Sequence, residues 1–264
     1  MNSYLNIAIK GAIEAGVAIL EIYDKDMEIS LKKDESPLTA ADLASNSIIN
    51  NYLRETDIPV ISEENKQIAY KDRKNWNRCW IVDPLDGTKE FIKKNGEFTV
   101  NIAICEEQVP ILGVIYVPVT RELYYADVKD GKAFKTVLNK QHELTSGLFS
   151  GEDRIMPAAT SNGTIRVVGS RSHMNQDTLD YIDNVKEGYS EVEIVSKGSS
   201  LKFCLVAEGR ADVYPRFAPT MEWDTAAGHA ICKAVGLKVI SQKTNRELQY
   251  NKEDLLNDYF LVEK

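Results

Sequence analysis

An apolar, strand-like run ends in two carboxylates three residues apart, within the segment IVDPLDGTKEF at residues 81–91. Pro84 stands between Asp83 and Asp86 and fixes its own φ, which favours a tight turn. Such a turn can bring both acidic side chains and the Leu85 carbonyl toward one centre. Oxygen ligands of this kind suit a hard cation, with Mg²⁺ the first choice. The residue types and their spacing therefore predict part of a metal site.

The two residues that follow can contact a phosphate group. Gly87 and Thr88 begin a short predicted helix with the sequence TKEFIKK, and backbone N–H groups at the start of a helix can donate to phosphate oxygens. We therefore interpret the segment as half of a metal and phosphate site. The alternative is that Asp-Pro-Leu-Asp-Gly is only a turn followed by a capped helix.

Two other acidic segments could complete such a site. Glu63 and Glu64 follow a short strand predicted from Ile58 to Ser62, although a pair of glutamates is more often a solvated surface. Asp224, within Glu-Trp-Asp-Thr-Ala-Ala-Gly, stands at the start of an apolar helix, where its alternative role is that of an N-cap. Each segment is a weak signal alone, so the case depends on their combination.

Composition and charge narrow the class of protein. With 43% hydrophobic and 27% charged residues among 264, the chain has the composition of an ordinary folded protein, and disorder is not expected. Its 40 acidic and 32 basic residues give a formal charge of −8. A nucleic-acid polymer would be repelled by this charge unless a basic face were segregated, and the sequence has no such Lys/Arg block. We therefore expect no binding to a nucleic-acid polymer.

The sequence predicts no targeting or membrane-spanning segment. The N-terminus lacks a basic region followed by an apolar block and a cleavage site, and no apolar stretch reaches membrane-spanning length. The four cysteines are widely spaced, without a CxxC pair; they are Cys79, Cys105, Cys204 and Cys232. We expect reduced core thiols in a cytoplasmic protein. A disulfide, peripheral association with the inner membrane and the oligomeric state stay open.

The elements that must position the acids follow from hydrophobic periodicity. Apolar residues at helical spacing predict an amphipathic helix over the first two dozen residues. The residues of its predicted apolar face are Ile9, Ile13, Val17 and Leu20. The segment Thr39-Ala-Ala-Asp42 resembles a capping box, with Asp in place of Glu, and predicts a second helix that ends near Glu55. Residues Cys79 to Val82 predict a strand.

The rest of the chain divides into a meander and an alternating part. Residues 97–134 read as four antiparallel strands, FTVNIAICEE, PILGVIYVPV, ELYYADV and GKAFK. Residues 137–163 are rich in polar and small residues and predict a connecting loop or lobe boundary. Strands and helices alternate beyond it, which is typical of an α/β arrangement. We predict a mixed α/β fold in one domain, residues 1–264, with an N-terminal lobe of about 1–145 and a C-terminal lobe of about 160–264.

At the acidic segments the sequence resembles the magnesium-dependent, lithium-sensitive phosphomonoesterases of the inositol monophosphatase and fructose-bisphosphatase superfamily. The matching residues are Glu63-Glu64, Asp83-Pro-Leu-Asp86-Gly-Thr88 and Trp223-Asp224-Thr-Ala-Ala-Gly228. The chain is further similar to one branch, the 3'(2'),5'-bisphosphate nucleotidases of the CysQ type. That similarity extends from about residue 33 to residue 236 and is carried by WIVDPLDGTKEFIKKNGEFTVNIAI, PILGVIYVPV, SRSH, GSSLKFCLVAEGRADVYPRF and WDTAAGHA. Residues 137–163 resemble the family least.

The resemblance implies a layered αβαβα sugar-phosphatase fold with the site between the lobes. It implies that Glu63, Asp83 and the Leu85 carbonyl hold one Mg²⁺. It further implies that Asp83, Asp86 and Asp224 hold a second, so that Asp83 would bridge the two ions. A third, weaker Mg²⁺ is expected near Glu63. Two cations of this kind clamp a phosphoryl group, activate a water and stabilise the leaving oxygen.

The resemblance further implies that Thr88 orients the attacking water and that Asp42 hydrogen-bonds Thr88. Asp42 has the alternative role of a normal acid in the first turn of a helix. No serine–histidine or cysteine–histidine nucleophile is implied, so we expect direct attack by water without a phosphoenzyme. The negative charge of the chain is then explained, because the carboxylates gather the metal and the metal attracts an anionic substrate.

Substrate contacts are also implied by the similarity to the nucleotidases. The residues in question are Glu63, Leu85, Asp86, Gly87, Thr88, His173, Ser199, Ser200, Lys202, Arg216 and Asp224. A second, uncleaved phosphate needs donors away from the metals. Each of three residues also has a structural interpretation. Lys202 could be an exposed helix residue, Arg216 an ion-pair partner and His173 a polar loop residue. We interpret His229 as structural.

The expected activity is the Mg²⁺-dependent hydrolysis of adenosine 3',5'-bisphosphate to AMP and phosphate, which clears the by-product of sulfate activation and transfer. One alternative is an inositol monophosphatase or sugar bisphosphatase of the same superfamily. Another is a non-catalytic nucleotide-binding regulator on the same scaffold, although such a protein would not need the whole set of acids.

Overall fold

The structure, a computed structural model, describes residues 3–23, 29–31, 37–159, 163–169 and 175–264. In these residues there are seven α-helices: α1 (Ser3–Tyr23), α2 (Ala40–Leu53), α3 (Tyr70–Arg73), α4 (Thr88–Ile92), α5 (Gln176–Lys186), α6 (Leu201–Ala207) and α7 (Glu222–Ala234). The strands of the first half are β1 (Ile29–Leu31), β2 (Pro37–Thr39), β3 (Val60–Ser62), β4 (Arg78–Asp86), β5 (Thr99–Glu106), β6 (Val109–Val117), β7 (Glu122–Asp127), β8 (Lys132–Val137) and β9 (Arg154–Ile155). Those of the second half are β10 (Thr164–Gly169), β11 (Glu191–Ser196), β12 (Tyr214–Arg216), β13 (Lys238–Ser241) and β14 (Phe260–Glu263).

A seven-stranded sheet with the strand order β3-β4-β5-β6-β7-β8-β9 is the centre of the first half. Its first pair, β3 and β4, is parallel and the other pairs are antiparallel. The predicted meander is therefore confirmed. Alternate residues of each strand point to opposite faces, and both faces are buried. On β4, Trp80 and Val82 pack in the core beneath α1 and α2, whereas Cys79 and Ile81 pack on the side of α6 and α7.

The second half contributes another layer of strands. β10 and β11 are parallel, and β14 lies antiparallel between β12 and β13. A parallel bridge from Val167 to Val213 joins the two groups. One face of this layer, with Phe260 and Val262, belongs to the α6 and α7 core, and the other, with Val167 and Leu261, packs on α5. The layers thus follow the order helix, sheet, helix, sheet, helix, which confirms the αβαβα prediction.

The first helix is confirmed, but of its predicted apolar face only Ile9 is fully buried. The fully buried positions of α1 include Ala8, Ala12, Ala15 and Gly16, whereas Ile13, Val17 and Leu20 are only partly buried. Small residues allow a close approach here, since a Cβ at Gly16 would lie 2.5 Å from the ring of Tyr116. Close packing on the sheet therefore selects the alanine and glycine face.

Residues 137–163 are more than a connecting loop. Within this segment β9 pairs with β8 and extends the large sheet by one strand. The backbone N–H of Phe149 donates to the Tyr125 hydroxyl at 2.8 Å, and its ring lies 5.3 Å from the ring of Phe134 in an edge-on arrangement. The segment therefore covers the edge of the sheet.

One of the buried clusters connects the two halves of the chain. Residues from β3 to β8 share a buried cluster with residues from α6, α7 and β14. All four cysteines are free and buried, as predicted. No helix in the described residues has both the length and the apolar character needed to cross a membrane. The division into lobes and the cytoplasmic location stay predictions.

At Gly113 on β6 the large sheet approaches α7 closely. A Cβ at this position would lie 2.4 Å from the Ala227 carbonyl oxygen and 2.8 Å from the Ala230 Cβ. Because both neighbours belong to a buried helix, we expect Gly113→Ala to destabilise the protein by about 1–3 kcal/mol. Thermal unfolding measures the loss. Gly147→Ala is the matched control, since a Cβ there meets nothing within 4 Å; equal melting temperatures for the two variants would contradict the prediction.

Candidate active site

The Asp-Pro-Leu-Asp turn is a β-bulge at the end of β4. Asp83 pairs with Asn101 and Asp86 pairs with Thr99, so the register shifts by one residue between the two acids. A bulge redirects the side chains that flank it. Proline has no N–H to donate, and it is tolerated here because a bulge interrupts the ladder of hydrogen bonds. The Leu85 N–H donates to Asp83 Oδ1 at 3.1 Å. The bulge therefore aims both acids at one point.

Gly87 connects this bulge to helix α4. Its φ is +94°, in the left-handed region that favours glycine. A Cβ here would lie 3.2 Å from both the Glu97 carbonyl oxygen and the Ser199 Cβ. The predicted turn and short helix are confirmed, and the glycine lets the second half of the chain pack directly against the turn.

Asp224 approaches the same point from the first turn of α7. Its Oδ2 accepts a hydrogen bond from the Met221 N–H at 2.7 Å, so this acid does stabilise the start of the helix. It stands at the third helical position rather than at the N-cap. One oxygen of each of Asp83, Asp86 and Asp224 lies within 4.8 Å of the other two. The structure therefore brings together three of the predicted metal ligands.

The acid cluster is electrostatically unfavourable without a cation. Burial, followed by the fields of Glu63, Asp86, Asp224 and Asp42, raises the pKa of Asp83 well above its usual range. Burial and the neighbouring Asp86 raise the pKa of Asp224 to about 7. Converging carboxylates with raised pKa values are common at functional sites.

Each of the three carboxylates has one oxygen held by the protein. Asp83 Oδ1 and Asp224 Oδ2 accept backbone hydrogen bonds, and Asp86 Oδ2 accepts from Ser200 Oγ at 2.7 Å. Within the described part of the chain, no hydrogen bond reaches the second oxygen of any of them. Oriented carboxylates with a spare oxygen, and no nitrogen or sulfur ligand among them, fit a hard divalent cation such as Mg²⁺.

Helix α2 hydrogen-bonds two segments of the site through polar side chains. The buried Ser45 hydroxyl donates to the Pro84 carbonyl at 2.6 Å. Asn46, the next residue, and Asn50, one turn after it, hydrogen-bond the Asn65 side chain at 3.0 and 3.1 Å. Asn65 belongs to the loop that carries Glu63 and Glu64. Asn46 and Asn50 are four residues apart and so lie on one face of α2, while Ser45 points to the bulge, so the helix contacts the bulge and the glutamate loop together.

Glu63 and Asp42 lie beside the cluster. The Glu63 N–H donates to the Val82 carbonyl at 3.3 Å, directly before Asp83. Both acids contribute to the raised pKa of Asp83. Asp42 is 1% exposed and stands in the first turn of α2, while the side chain of Thr39, the other half of the expected capping box, lies outside what the structure describes. Asp42 therefore lies both in the first turn of α2 and near the acid cluster, and its role stays a prediction.

Thr88 stands at the first position of α4. Its hydroxyl donates to the Leu85 carbonyl over a long 3.5 Å, so it faces the bulge. The hydrogen bond expected between Asp42 and Thr88, and the role of Thr88 toward water, stay predictions.

A cavity of about 140 Å³ lies next to the acids. Its lining includes most of the predicted substrate contacts, namely Asp86, Gly87, Ser199, Ser200, Lys202, Arg216 and Asp224. The first and second halves of the chain both contribute to it. His173 lies outside the described residues. His229 is buried and contacts the Tyr250 hydroxyl through Nδ1 at 3.0 Å, so it is structural as predicted.

The cavity contains cationic groups with unused donors. Lys202 is 6% exposed, which excludes the alternative of a surface lysine, and burial lowers the pKa of its ammonium to about 8. Arg216 donates to the Pro219 carbonyl at 3.2 Å, and no carboxylate of the described residues forms an ion pair with it. The Arg216 Nε–H and the Ser199 hydroxyl are buried without a hydrogen-bond partner in the described chain. Buried donors of this kind need an acceptor.

Sequence reasoning missed two polar residues of this site, Asn101 and Glu97. Asn101 lies on β5 beside Asp86, and Glu97 accepts from the Gly198 N–H at 2.8 Å and so holds the loop before Ser199. The signal for Asn101 was its position within the otherwise apolar strand of FTVNIAI. Glu97 carried no signal, since a single glutamate before a strand is normally a surface residue.

The fold and the acid cluster define a class of protein. The model of the inositol monophosphatase family matches residues 1–263, and the chain belongs to this family. Its enzymes are metal-dependent phosphatases, a property that the converging carboxylates fit.

The similar proteins are more specific. The 3'(2'),5'-bisphosphate nucleotidase CysQ of Salmonella typhimurium is 46% identical over 256 residues, which cover 95% of this chain and 96% of that protein. CysQ of Escherichia coli strain K12 is 44% identical with the same coverage. The crystal structure of CysQ from Bacteroides thetaiotaomicron superposes with a TM-score of 0.86 at 48% identity and covers 100% of this chain and 97% of its own.

Proposed function

We propose that this chain is a Mg²⁺-dependent 3'(2'),5'-bisphosphate nucleotidase that hydrolyses adenosine 3',5'-bisphosphate to AMP and phosphate. The observation that carries the proposal is the convergence of Asp83, Asp86 and Asp224 beside a cavity with unused cationic donors. The names of the similar enzymes, at 44–48% identity over nearly the whole chain, support the same substrate class.

The acids are proposed to hold the metal. Glu63, Asp83 and the Leu85 carbonyl would bind one Mg²⁺, and Asp83, Asp86 and Asp224 a second, with a third, weaker ion near Glu63. Bound Mg²⁺ supplies a nucleophilic water at neutral pH and stabilises charge on the leaving oxygen. The protein supplies fixed carboxylate directions through the Leu85 and Met221 N–H groups and the Ser200 hydroxyl.

Thr88 is proposed to orient the attacking water, with Asp42 as its hydrogen-bond partner. The start of α4 at Gly87 and Thr88 is proposed to contact the phosphate that is cleaved. None of the cysteines qualifies as a nucleophile, because all four are buried in the core and burial raises their thiol pKa values. We propose direct attack by water, without a phosphoenzyme, as the mechanism.

The second phosphate of the substrate is proposed to bind Lys202, Arg216 and Ser199, with His173 as a further contact. A substrate with one phosphate would satisfy only the metal end of the site. A bisphosphate also supplies acceptors for the buried Arg216 Nε–H and Ser199 hydroxyl, and charge-assisted hydrogen bonds to phosphate are strong. This argument favours a bisphosphorylated substrate over inositol monophosphate.

Phosphate release from a panel of substrates tests the proposal. We expect activity only with Mg²⁺, and a kcat/KM for adenosine 3',5'-bisphosphate at least about 10-fold above that for 3'-AMP or inositol monophosphate, because each lost charge-assisted contact is worth an order of magnitude. A preference for inositol monophosphate or fructose 1,6-bisphosphate would favour the other phosphatases of the superfamily. Nucleotide binding without any turnover would favour a regulator.

The acid cluster also predicts a pH-dependent effect of Mg²⁺ on stability. A carboxyl group whose pKa is raised on folding stabilises the fold at low pH, and this contribution is lost as the pH rises through the folded-state value, about 7 for Asp224. The metal-free protein should therefore lose stability from pH 5 toward pH 8, while the increase in melting temperature caused by Mg²⁺ should grow. Scanning calorimetry with and without Mg²⁺ measures both trends.

Asp224→Asn is the control for this pH effect, because it removes the titrating group. Its melting temperature should vary less with pH than that of the wild type and respond less to Mg²⁺. Identical pH profiles for the two proteins would contradict the assignment of the effect to Asp224.

A further inference from the structure

A chain of buried polar side chains crosses the apolar strand β5 and ends at Asp86. It consists of Thr99, Asn101 and Ser200, which are 0%, 1% and 2% exposed. The Thr99 hydroxyl donates to Asn101 Oδ1 at 2.9 Å, and Asn101 Nδ2 donates to Ser200 Oγ at 2.8 Å. Asn101 Nδ2 also lies 3.4 Å from Asp86 Oδ2. The successive donors therefore point from β5 toward the Asp86 carboxylate.

Ser200 is the last member of this chain and contacts both halves of the acid cluster. Its hydroxyl lies 2.7 Å from Asp86 Oδ2 and 2.9 Å from the Asp224 carbonyl oxygen. A hydroxyl has one proton, and here it accepts from Asn101. The proton goes to the Asp86 carboxylate, which is the shorter contact and the charged acceptor. Ser200 thus has no donor to spare for a substrate, although it was predicted as a substrate contact.

The burial of these polar groups calls for a reason. Asn101 stands between Val100 and Ile102 in a strand whose two faces are both in the core, and a buried polar side chain costs free energy unless its hydrogen bonds are made. An apolar residue at position 101 would avoid that cost. What the hydrogen-bonded side chains add is a pair of donors on one oxygen of Asp86, which leaves the other oxygen of this carboxylate without a hydrogen bond in the described residues.

We infer that Asn101 and Ser200 are positioning residues that hold Asp86 Oδ2 and so aim the other oxygen of this carboxylate at the bound cation. The inference rests on the proposed function to the extent that Asp86 is a metal ligand. Partners that orient a ligating carboxylate typically change metal affinity by about 10–100-fold when they are removed. Through its second contact, Ser200 also fixes Asp86 relative to the start of α7, and hence relative to Asp224.

Metal affinity, measured without substrate, tests the inference. We expect Ser200→Ala and Asn101→Leu each to weaken Mg²⁺ binding to the full chain by about 10–100-fold in isothermal titration calorimetry. The double variant should be little weaker than the worse single variant, because the two residues act as one network. Ser200→Thr keeps the hydroxyl and should recover most of the affinity.

Ser241→Ala is the matched control. Ser241 is also 2% exposed and donates to a carboxylate, Asp258 Oδ2 at 2.9 Å, but it lies on β13, outside the acid cluster. The Ser241→Ala variant should have a lower melting temperature than the wild type but the same Mg²⁺ affinity. If Ser200→Ala and Asn101→Leu behave like this control, with affinity within threefold of the wild type, they are structural residues and the inference is wrong. If the wild-type chain itself binds no Mg²⁺, the proposed function fails and the inference fails with it.

Discussion

Replacing Asp83 by asparagine is expected to abolish phosphate release and at the same time to stabilise the metal-free protein. Asp83 is 1% exposed, and burial together with four neighbouring acids raises its pKa. Its ionised form is therefore costly to fold, and an uncharged isostere removes this cost while Asn Oδ1 still accepts from the Leu85 N–H. Removing an unfavourable buried charge commonly increases the free energy of unfolding by about 0.5–2 kcal/mol. Each kcal/mol raises the melting temperature of a domain of this size by roughly 2–4 °C.

The loss of activity has a separate cause. Asp83 is the proposed bridge between two cations, whose combined effect on the transition state amounts to several kcal/mol. Each 1.36 kcal/mol is about a factor of ten, so we expect kcat/KM to fall by roughly 10³-fold or more. Phosphate release and scanning calorimetry on the same preparation measure the two effects. A variant with most of its turnover would contradict the bridging role, and one with a lower melting temperature would contradict the electrostatic argument.

Asp212→Asn is the control with the opposite expected sign. The Asp212 carboxylate pairs with the Arg166 guanidinium at 2.8 Å, in the second layer of strands and away from the acid cluster. Removing its charge breaks an ion pair instead of relieving repulsion. Its melting temperature should fall slightly and its turnover should be unchanged.

Replacing Lys202 by methionine is expected to separate bisphosphate from monophosphate substrates. Lys202 is buried in the cavity, where its Nζ donates to the Ser199 carbonyl at 2.5 Å. Loss of a charge-assisted hydrogen bond to the second phosphate costs about 1.5–3 kcal/mol, so KM for adenosine 3',5'-bisphosphate should rise roughly 10- to 100-fold. The kcat/KM for 3'-AMP, which lacks that phosphate, should change much less.

Steady-state kinetics with both substrates measures this selectivity. Lys233→Met is the matched control, because Lys233 pairs with Glu247 at 2.5 Å on the far part of α7 and does not line the cavity. An equal loss with both substrates would show that Lys202 serves the cleaved phosphate or the fold. No loss with either would exclude it from the site.

The metal-site segment could be predicted because its geometry is encoded locally. A proline between two acids, followed by a glycine, specifies the bulge and the helix start within six residues, and the structure has both. The pairing of β5, β6, β7 and β8 was equally accessible, since short turns leave antiparallel neighbours as the simplest solution. Family membership then gave the layered fold.

Other features depended on contacts that periodicity does not report. The α1 face is set by the space beside Tyr116, which selects Gly16 over larger residues. β9 has two residues, too few for any period. β14 lies between β12 and β13. This pairing joins strands that are distant in the sequence, so local patterns do not predict it. Asn101 is a polar residue within an apolar strand, and only the structure shows that it lies next to Asp86. The roles of the site residues and the boundary of the lobes stay predictions.

The three clustered carboxylates come from two different layers, Asp83 and Asp86 from the large sheet and Asp224 from helix α7. A cation that they share would be a cross-link between these layers. Its binding free energy would then be added to the free energy needed to lift α7 away from the sheet. The backbone amides of α7 should accordingly exchange hydrogen more slowly with a cation bound than without one, because local opening of the helix then costs more free energy. In such an arrangement a bound cation would also stabilise the packing of α7 on the large sheet.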